Sequence, residues 1–254
     1  MADRGPLLRV EGVSKHFGGV KAVDEVSLEV NAGEVVGIIG DNGAGKSTLI
    51  KMISGVYVPD GGKIYFDGQE TEGKSPREMR EMGLETIYQD LALADNLDAG
   101  ANIFLGREPV KSRVFNTVDN VHMRMEAKNT LKKIALEDLD LKKKVRDLSG
   151  GQRQGVAIAR AMHWNAKFLV MDEPTAAVGV AGRRNIYKLV GDLREKGVPV
   201  VYVTPNVREA FGIVDRVAVI RRGRKVAERA VKETSVDEIV GFIVGSKKEE
   251  KEKD

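Results

Sequence analysis

The stretch "VVGIIGDNGAGKSTLIKMIS", residues 35–54, carries three signals in succession. A nearly unbroken apolar, β-branched run comes first, as in a strand covered on both faces. The glycine-rich "GDNGAGKST" (40–48) follows, and "LIKMIS" then reads as a helix. Strand, glycine loop and helix in that order are the context a phosphate-binding loop requires. Gly40, Gly43 and Gly45 let the backbone turn tightly. The N–H groups of the loop, through Asn42, Ala44 and Thr48, can then surround a β-phosphate at a helix start. Lys46 is expected to reach the β- and γ-phosphates, and Ser47 to place its hydroxyl on Mg²⁺.

Two more apolar runs, "FLVMD" (168–172) and "VVYVT" (200–204), match the first and predict a mainly parallel sheet. Shorter strand signals lie at 7–13, 26–30 and 216–221, and "DGGKIYFDG" (60–68) reads as an antiparallel appendage. Between about Leu91 and Met162 helical spacing takes over, notably in 119–135 and 152–162. The fold class is therefore α/β: a P-loop NTPase core over 1–90 and 163–235, with an inserted helical lobe over 91–162. The charged tail 245–254 has nothing to bury and predicts disorder. No internal repeat is evident.

With 254 residues and 42% hydrophobic content, the chain can bury a sizeable core. Its formal charge of +3 gives no general drive toward nucleic acid. The absence of cysteine excludes disulfides and thiolate metal sites, and fits a reducing compartment. His16, His122 and His163 are scattered without zinc-ligand spacing. "MADRGPLLRVEG" lacks a signal-peptide run, and no apolar stretch approaches a membrane span, so a cytoplasmic chain is expected.

Asp172 ends the run "FLVMDE", where a P-loop protein holds magnesium, and Glu173 could polarise an attacking water as a general base. Acidic residues also follow apolar strands for purely structural reasons, so the pattern gains weight only beside the loop at 40–48.

"LSGGQRQGVAIARAM" (148–162) opens a further helix on a serine and two glycines. A helix cap accounts for Ser149 but not for Gly150, Gly151 and Gln152 together. The segment resembles the signature motif of ABC-transporter ATPases. That resemblance covers about residues 7–230 and implies that Ser149, Gly150, Gly151 and Gln152 of one subunit close over the ATP held by the P-loop of a second. It also implies that Phe17, in "KHFGG", stacks on adenine, where the alternative is an ordinary core phenylalanine. Gln89, in "IYQD", would approach Mg²⁺ and the catalytic water. The stretches 54–64, 86–108 and 162–177 are similar to the ATPase subunits of bacterial sugar importers, in the branch associated with fructose and ribose-type monosaccharides. Many relatives there carry two cassettes in tandem, whereas this chain carries one.

The resemblance implies a homodimer, or a pair with a related subunit, on the inner face of the cell membrane. Its partners would be two permease chains, docked near residues 89–110, and indirectly a periplasmic sugar-binding protein. Soluble ABC-type ATPases of DNA repair or translation are the alternative, as is a regulatory module with little hydrolysis. One departure stands out in "VPVVYVTPNVREAF" (198–211): the family's switch histidine is replaced by Pro205. Proline offers neither a side-chain donor nor a backbone N–H. ATP binding should survive this change and hydrolysis should slow. The D-loop also departs, reading Ala176-Ala177-Val178-Gly179.

Overall fold

A computed structural model describes residues 5–112, 117–132, 136, 138–163, 166–176 and 178–247. The strands are β1 (Leu8–Phe17), β2 (Val20–Val30), β3 (Val35–Ile39), β4 (Gly61–Phe66), β5 (Gln69–Glu70), β6 (Leu84–Ile87), β7 (Val110–Ser112), β8 (Thr117–Val118), β9 (Phe168–Asp172), β10 (Val200–Thr204), β11 (Arg216–Arg221) and β12 (Arg224–Ala230). The helices are α1 (Lys46–Ile53), α2 (Pro76–Met82), α3 (Ala99–Phe104), α4 (Asn120–Lys132), α5 (Gly150–His163), α6 (Val180–Glu195), α7 (Val207–Phe211) and α8 (Val236–Val244).

The chain forms two compact units. The first comprises residues 1–86, 167–173 and 190–254, and the second 87–166 and 174–189. The second therefore takes in most of α6, which the sequence reading left with the core.

In the first unit a six-stranded sheet runs in the order β12-β11-β3-β10-β9-β6. Its centre is parallel, with Val201 facing Val36 on one side and Val170 on the other. Every residue of β3, β9 and β10 is buried, which is why these strands read as continuous apolar runs. Each fully buried Val, Ile or Leu contributes about 1.5–3 kcal/mol. β11 extends the parallel set beside β3, and β12 closes that edge antiparallel to β11.

The antiparallel appendage is larger than one short strand. It is a four-stranded sheet, β2-β1-β4-β5, recruiting the runs at 7–13 and 26–30. Phe66 of this sheet meets Phe168 of β9 edge-on, with ring centroids 5.8 Å apart. At the C-terminal end, Gly245 caps α8, and the Lys247 N–H donates to the Gly241 carbonyl. These bonds involve the first residues of the tail expected to be disordered, and 248–254 lie outside the described residues.

The second unit is built from α3, α4, α5, the β7–β8 hairpin and the first part of α6. The helix expected over 119–135 is α4, whose last three expected residues lie outside the described ones. Buried Asn102 bonds both the N–H and the carbonyl of Ala94, and Arg160 of α5 donates to the carbonyls of Leu91 and Ala92. These contacts fix the segment entering α3. No described helix is long and apolar enough to cross a membrane.

Candidate functional site

β3 ends at Ile39 and the chain turns at once, because Gly40 has no room for a side chain: an added Cβ would lie 2.1 Å from the Ile220 carbonyl oxygen. Gly45, immediately before α1, has φ +106, and its Cβ would fall 2.3 Å from the Ala22 carbonyl oxygen. Both the left-handed backbone and the close approach of β2 demand glycine there. Gly43 also has φ +77 but faces open space. α1 has no side-chain cap, so the amides of its first turn point into the loop.

Lys46 is 5% exposed, and its ammonium donates to the carbonyls of Gly40 at 2.7 Å and Asp41 at 2.9 Å. Burial lowers its pKa, against the opposing pull of Glu173, Asp172 and Asp41. Asp172, at the end of β9, is 4% exposed, and its Oδ1 has no hydrogen-bond partner. Burial raises its pKa and Glu173 adds to the shift, while the Ser47 hydroxyl and the Lys46 and Lys51 charges work the other way.

These residues suit Mg²⁺. A buried carboxylate with an open oxygen beside a serine hydroxyl is an incomplete oxygen donor set. Mg²⁺ characteristically binds through one or two carboxylates together with substrate phosphates. Among the described residues no group of three or more His, Cys, Asp or Glu could hold a metal ion.

Glu173 has φ +50, a left-handed backbone that is uncommon for glutamate. Its N–H donates to the Val203 carbonyl at 2.9 Å. Nothing in the sequence signals this conformation. Phe17 is no core residue: it is 45% exposed at the end of β1, with Tyr57 edge-on to its ring at 5.3 Å.

The other motif residues lie in the second unit. Gln89 is exposed just after β6 and lines a 450 Å³ cavity with Leu148, Gly150 and Arg153. Ser149 and Gln152 form a reciprocal capping box: the Ser149 N–H donates to Gln152 Oε1 at 3.0 Å, and the Gln152 N–H to Ser149 Oγ at 3.3 Å. Local capping therefore accounts for Gln152 as well as Ser149, which the sequence reading did not foresee. Gly151 is different. Among the described residues an added Cβ would meet only Val178, at an ordinary 3.5 Å from Cγ1 and 3.9 Å from Cβ, so that packing leaves room for a side chain.

The family model for the ABC transporter ATP-binding domain matches residues 23–176. The chain belongs to the ABC transporter family. It is an ABC-type ATPase that works with ATP and Mg²⁺. It is 46% identical over 233 residues to the xylose/arabinose import ATP-binding protein of Sulfolobus acidocaldarius, covering 92% of each chain. It is 39% identical over 252 residues to the fructose import ATP-binding protein of Rhizobium meliloti, covering 97% of each. Among solved structures it resembles a dimeric ATP-binding cassette bound to ADP and phosphate after hydrolysis. The TM-score there is 0.78 at 28% identity, over 89% of this chain and 100% of that one.

Within this ABC cassette the turn after β10 is held by hydrogen bonds among its neighbours. Pro205 is exposed. The Asn206 N–H donates to Thr204 Oγ1 at 3.1 Å, and Asn206 Oδ1 accepts the Glu209 N–H at 3.2 Å. The Asn206 oxygen is thus engaged in capping α7. Glu209 was not singled out from the sequence, although Asn206 and Glu209 stand at capping-box spacing.

Proposed function

We propose that this chain is the ATP-binding subunit of a sugar importer: two cassettes close around Mg-ATP and drive partner permease chains. The observation that carries the nucleotide site is Asp172, buried with an open oxygen beside Ser47 and Lys46. Transport of a sugar is supported by the two import proteins to which the chain is similar along nearly their whole lengths. They favour this reading over a soluble ATPase of repair or translation.

On binding, Lys46 exchanges the carbonyls of Gly40 and Asp41 for the β- and γ-phosphates, while the amides from Asn42 to Thr48 surround the β-phosphate. Ser47 and Asp172 would hold Mg²⁺, which when bound neutralises charge on the phosphate oxygens. Phe17, already exposed, offers its face to the adenine, with Tyr57 behind it. Glu173 accepts a proton from water as that water attacks the γ-phosphorus and the bond to the bridging oxygen breaks. Gln89 lies on a segment suited to report the γ-phosphate toward the permease. Pro205 supplies no donor to the γ-phosphate, so the step is slow.

The signature motif acts on the partner's nucleotide. Among the described residues nothing crowds Gly151, so the start of α5 is open to an anion brought by a second cassette. Two permease chains and a periplasmic sugar-binding protein complete the assembly, placing the cassettes at the cytoplasmic face of the membrane.

Light scattering on Glu173→Gln with Mg-ATP tests this arrangement. The mass is expected to double, and the added change Gly151→Asp, which sets a carboxylate against the partner's phosphates, should hold the chain as a monomer. A monomer in both, or a dimer in both, contradicts closure by the signature motif. Isolation of the chain bound to permease chains tests the transport assignment.

A further inference from the structure

Glu209, on α7, ties together the end of β10. Its Oε1 accepts from the Tyr202 hydroxyl at 2.5 Å, and its Oε2 accepts from the Thr204 hydroxyl at 3.2 Å. Through its own N–H it also meets Asn206, which returns a backbone bond to Thr204. One carboxylate thus holds two side chains on the same face of a strand, two residues apart. Tyr202 and Thr204 are 0% and 2% exposed and Glu209 is half-buried, so the linkage is partly shielded from solvent.

Between them stands Val203, whose carbonyl accepts the Glu173 N–H at 2.9 Å. Glu173 keeps a left-handed backbone, φ +50, against its own preference, and such a conformation persists only where the surroundings impose it. β10 supplies part of that restraint, and Glu209 locks both residues that flank the accepting carbonyl.

We propose that Glu209 is a positioning residue for hydrolysis: by clamping Tyr202 and Thr204 it fixes the Val203 carbonyl, and through it the backbone from which Glu173 reaches the water. This rests on the assignment of Glu173 as the base. The clamp does not use the side chain at 205, so it stands although the switch histidine is replaced.

Single-turnover hydrolysis, steady-state kcat and KM, Mg-ATP affinity and Tm are compared for the unaltered chain, Glu209→Ala, Glu209→Gln and Tyr202→Phe. Glu209→Ala is expected to lower kcat by about 10- to 100-fold, the scale of a small misplacement, with KM and Mg-ATP affinity unchanged. Glu209→Gln keeps one acceptor oxygen and should lose less. Tyr202→Phe removes one of the two hydroxyl bonds without removing the buried ring, and should fall between Glu209→Gln and Glu209→Ala. If Glu209→Ala does not fold, the other two variants carry the same comparison. A carboxylate that serves only the fold would lower Tm and leave kcat per folded molecule unchanged, and that result overturns the proposal. Failure of the unaltered chain to take up Mg-ATP would instead sink the ATPase reading, and the positioning role with it.

Discussion

Replacing Pro205 with histidine is expected to raise the rate of ATP hydrolysis by about 10² to 10⁴, the usual contribution of one positioned acid–base group. Mg-ATP affinity should scarcely change. The reasons are local. Residue 205 is exposed, so an imidazole needs no new space. The turn around it is held by bonds among Thr204, Asn206 and Glu209, none of which uses the residue 205 side chain. The loop proposed to hold the phosphates, with Lys46 and the α1 amides, is a separate segment. Asn206 Oδ1 is an acceptor, already taken up by the Glu209 N–H at the start of α7, and has no proton to give a phosphate oxygen. Steady-state turnover of the two proteins decides the matter. If the unaltered chain already turns over at an ordinary enzymatic rate, roughly 1–10³ per second, Pro205 does not slow this ATPase.

The second large effect is expected at Asp172. An ionised carboxylate with an unpartnered buried oxygen costs the nucleotide-free fold about 1–3 kcal/mol. Its pKa is raised in the folded state, chiefly by burial, so the native protein binds this proton more tightly than the unfolded chain does. Native stability therefore falls as pH rises from the unfolded pKa through the folded one, and the penalty is complete above the latter. Asp172→Asn removes the charge while keeping the shape. The nucleotide-free variant should gain about 2–4 °C in Tm for each kcal/mol recovered, and its stability should lose that part of the pH dependence. Mg²⁺-dependent nucleotide affinity should meanwhile fall by about 10- to 100-fold, at least the loss seen when a residue supporting a metal ligand is removed. Thermal denaturation with and without Mg-ATP measures both. A variant that is less stable without nucleotide, or unchanged in its Mg²⁺ dependence, contradicts the assignment of Asp172 to the metal.

Most of the fold was legible because its central strands are buried on both faces. β3, β9 and β10 have no solvent face to interrupt their apolar runs, and such runs read plainly. β6, β12 and the β7–β8 hairpin were missed. β8 is two exposed residues long, and β12 (RKVAERA) breaks its few apolar positions with charged pairs at a sheet edge, so neither carries a continuous hydrophobic signal. α8 also went unread. The loop at 40–48 was legible for a different reason, since Gly40 and Gly45 are required by backbone approach and leave a mark in the residue type.

Features set by contact between distant segments left no such mark. The left-handed backbone of Glu173, the open oxygen of Asp172 and the convergence of Tyr202, Thr204 and Glu209 arise only when strands lie side by side. Phe17 shows the same limit: an aromatic in a short motif fits core and surface equally well, and only its exposure beside Tyr57 distinguishes them.

Calorimetric titration of the folded chain with Mg-ATP, beside Lys46→Ala, tests the central claim most directly, namely that the loop at 40–48 holds the triphosphate. The unaltered chain should take up one nucleotide per polypeptide, and loss of the ammonium should weaken uptake by about 10- to 100-fold, the worth of a charged hydrogen-bonding group. No uptake by a well-folded unaltered chain, or equal affinity in the two proteins, would contradict it.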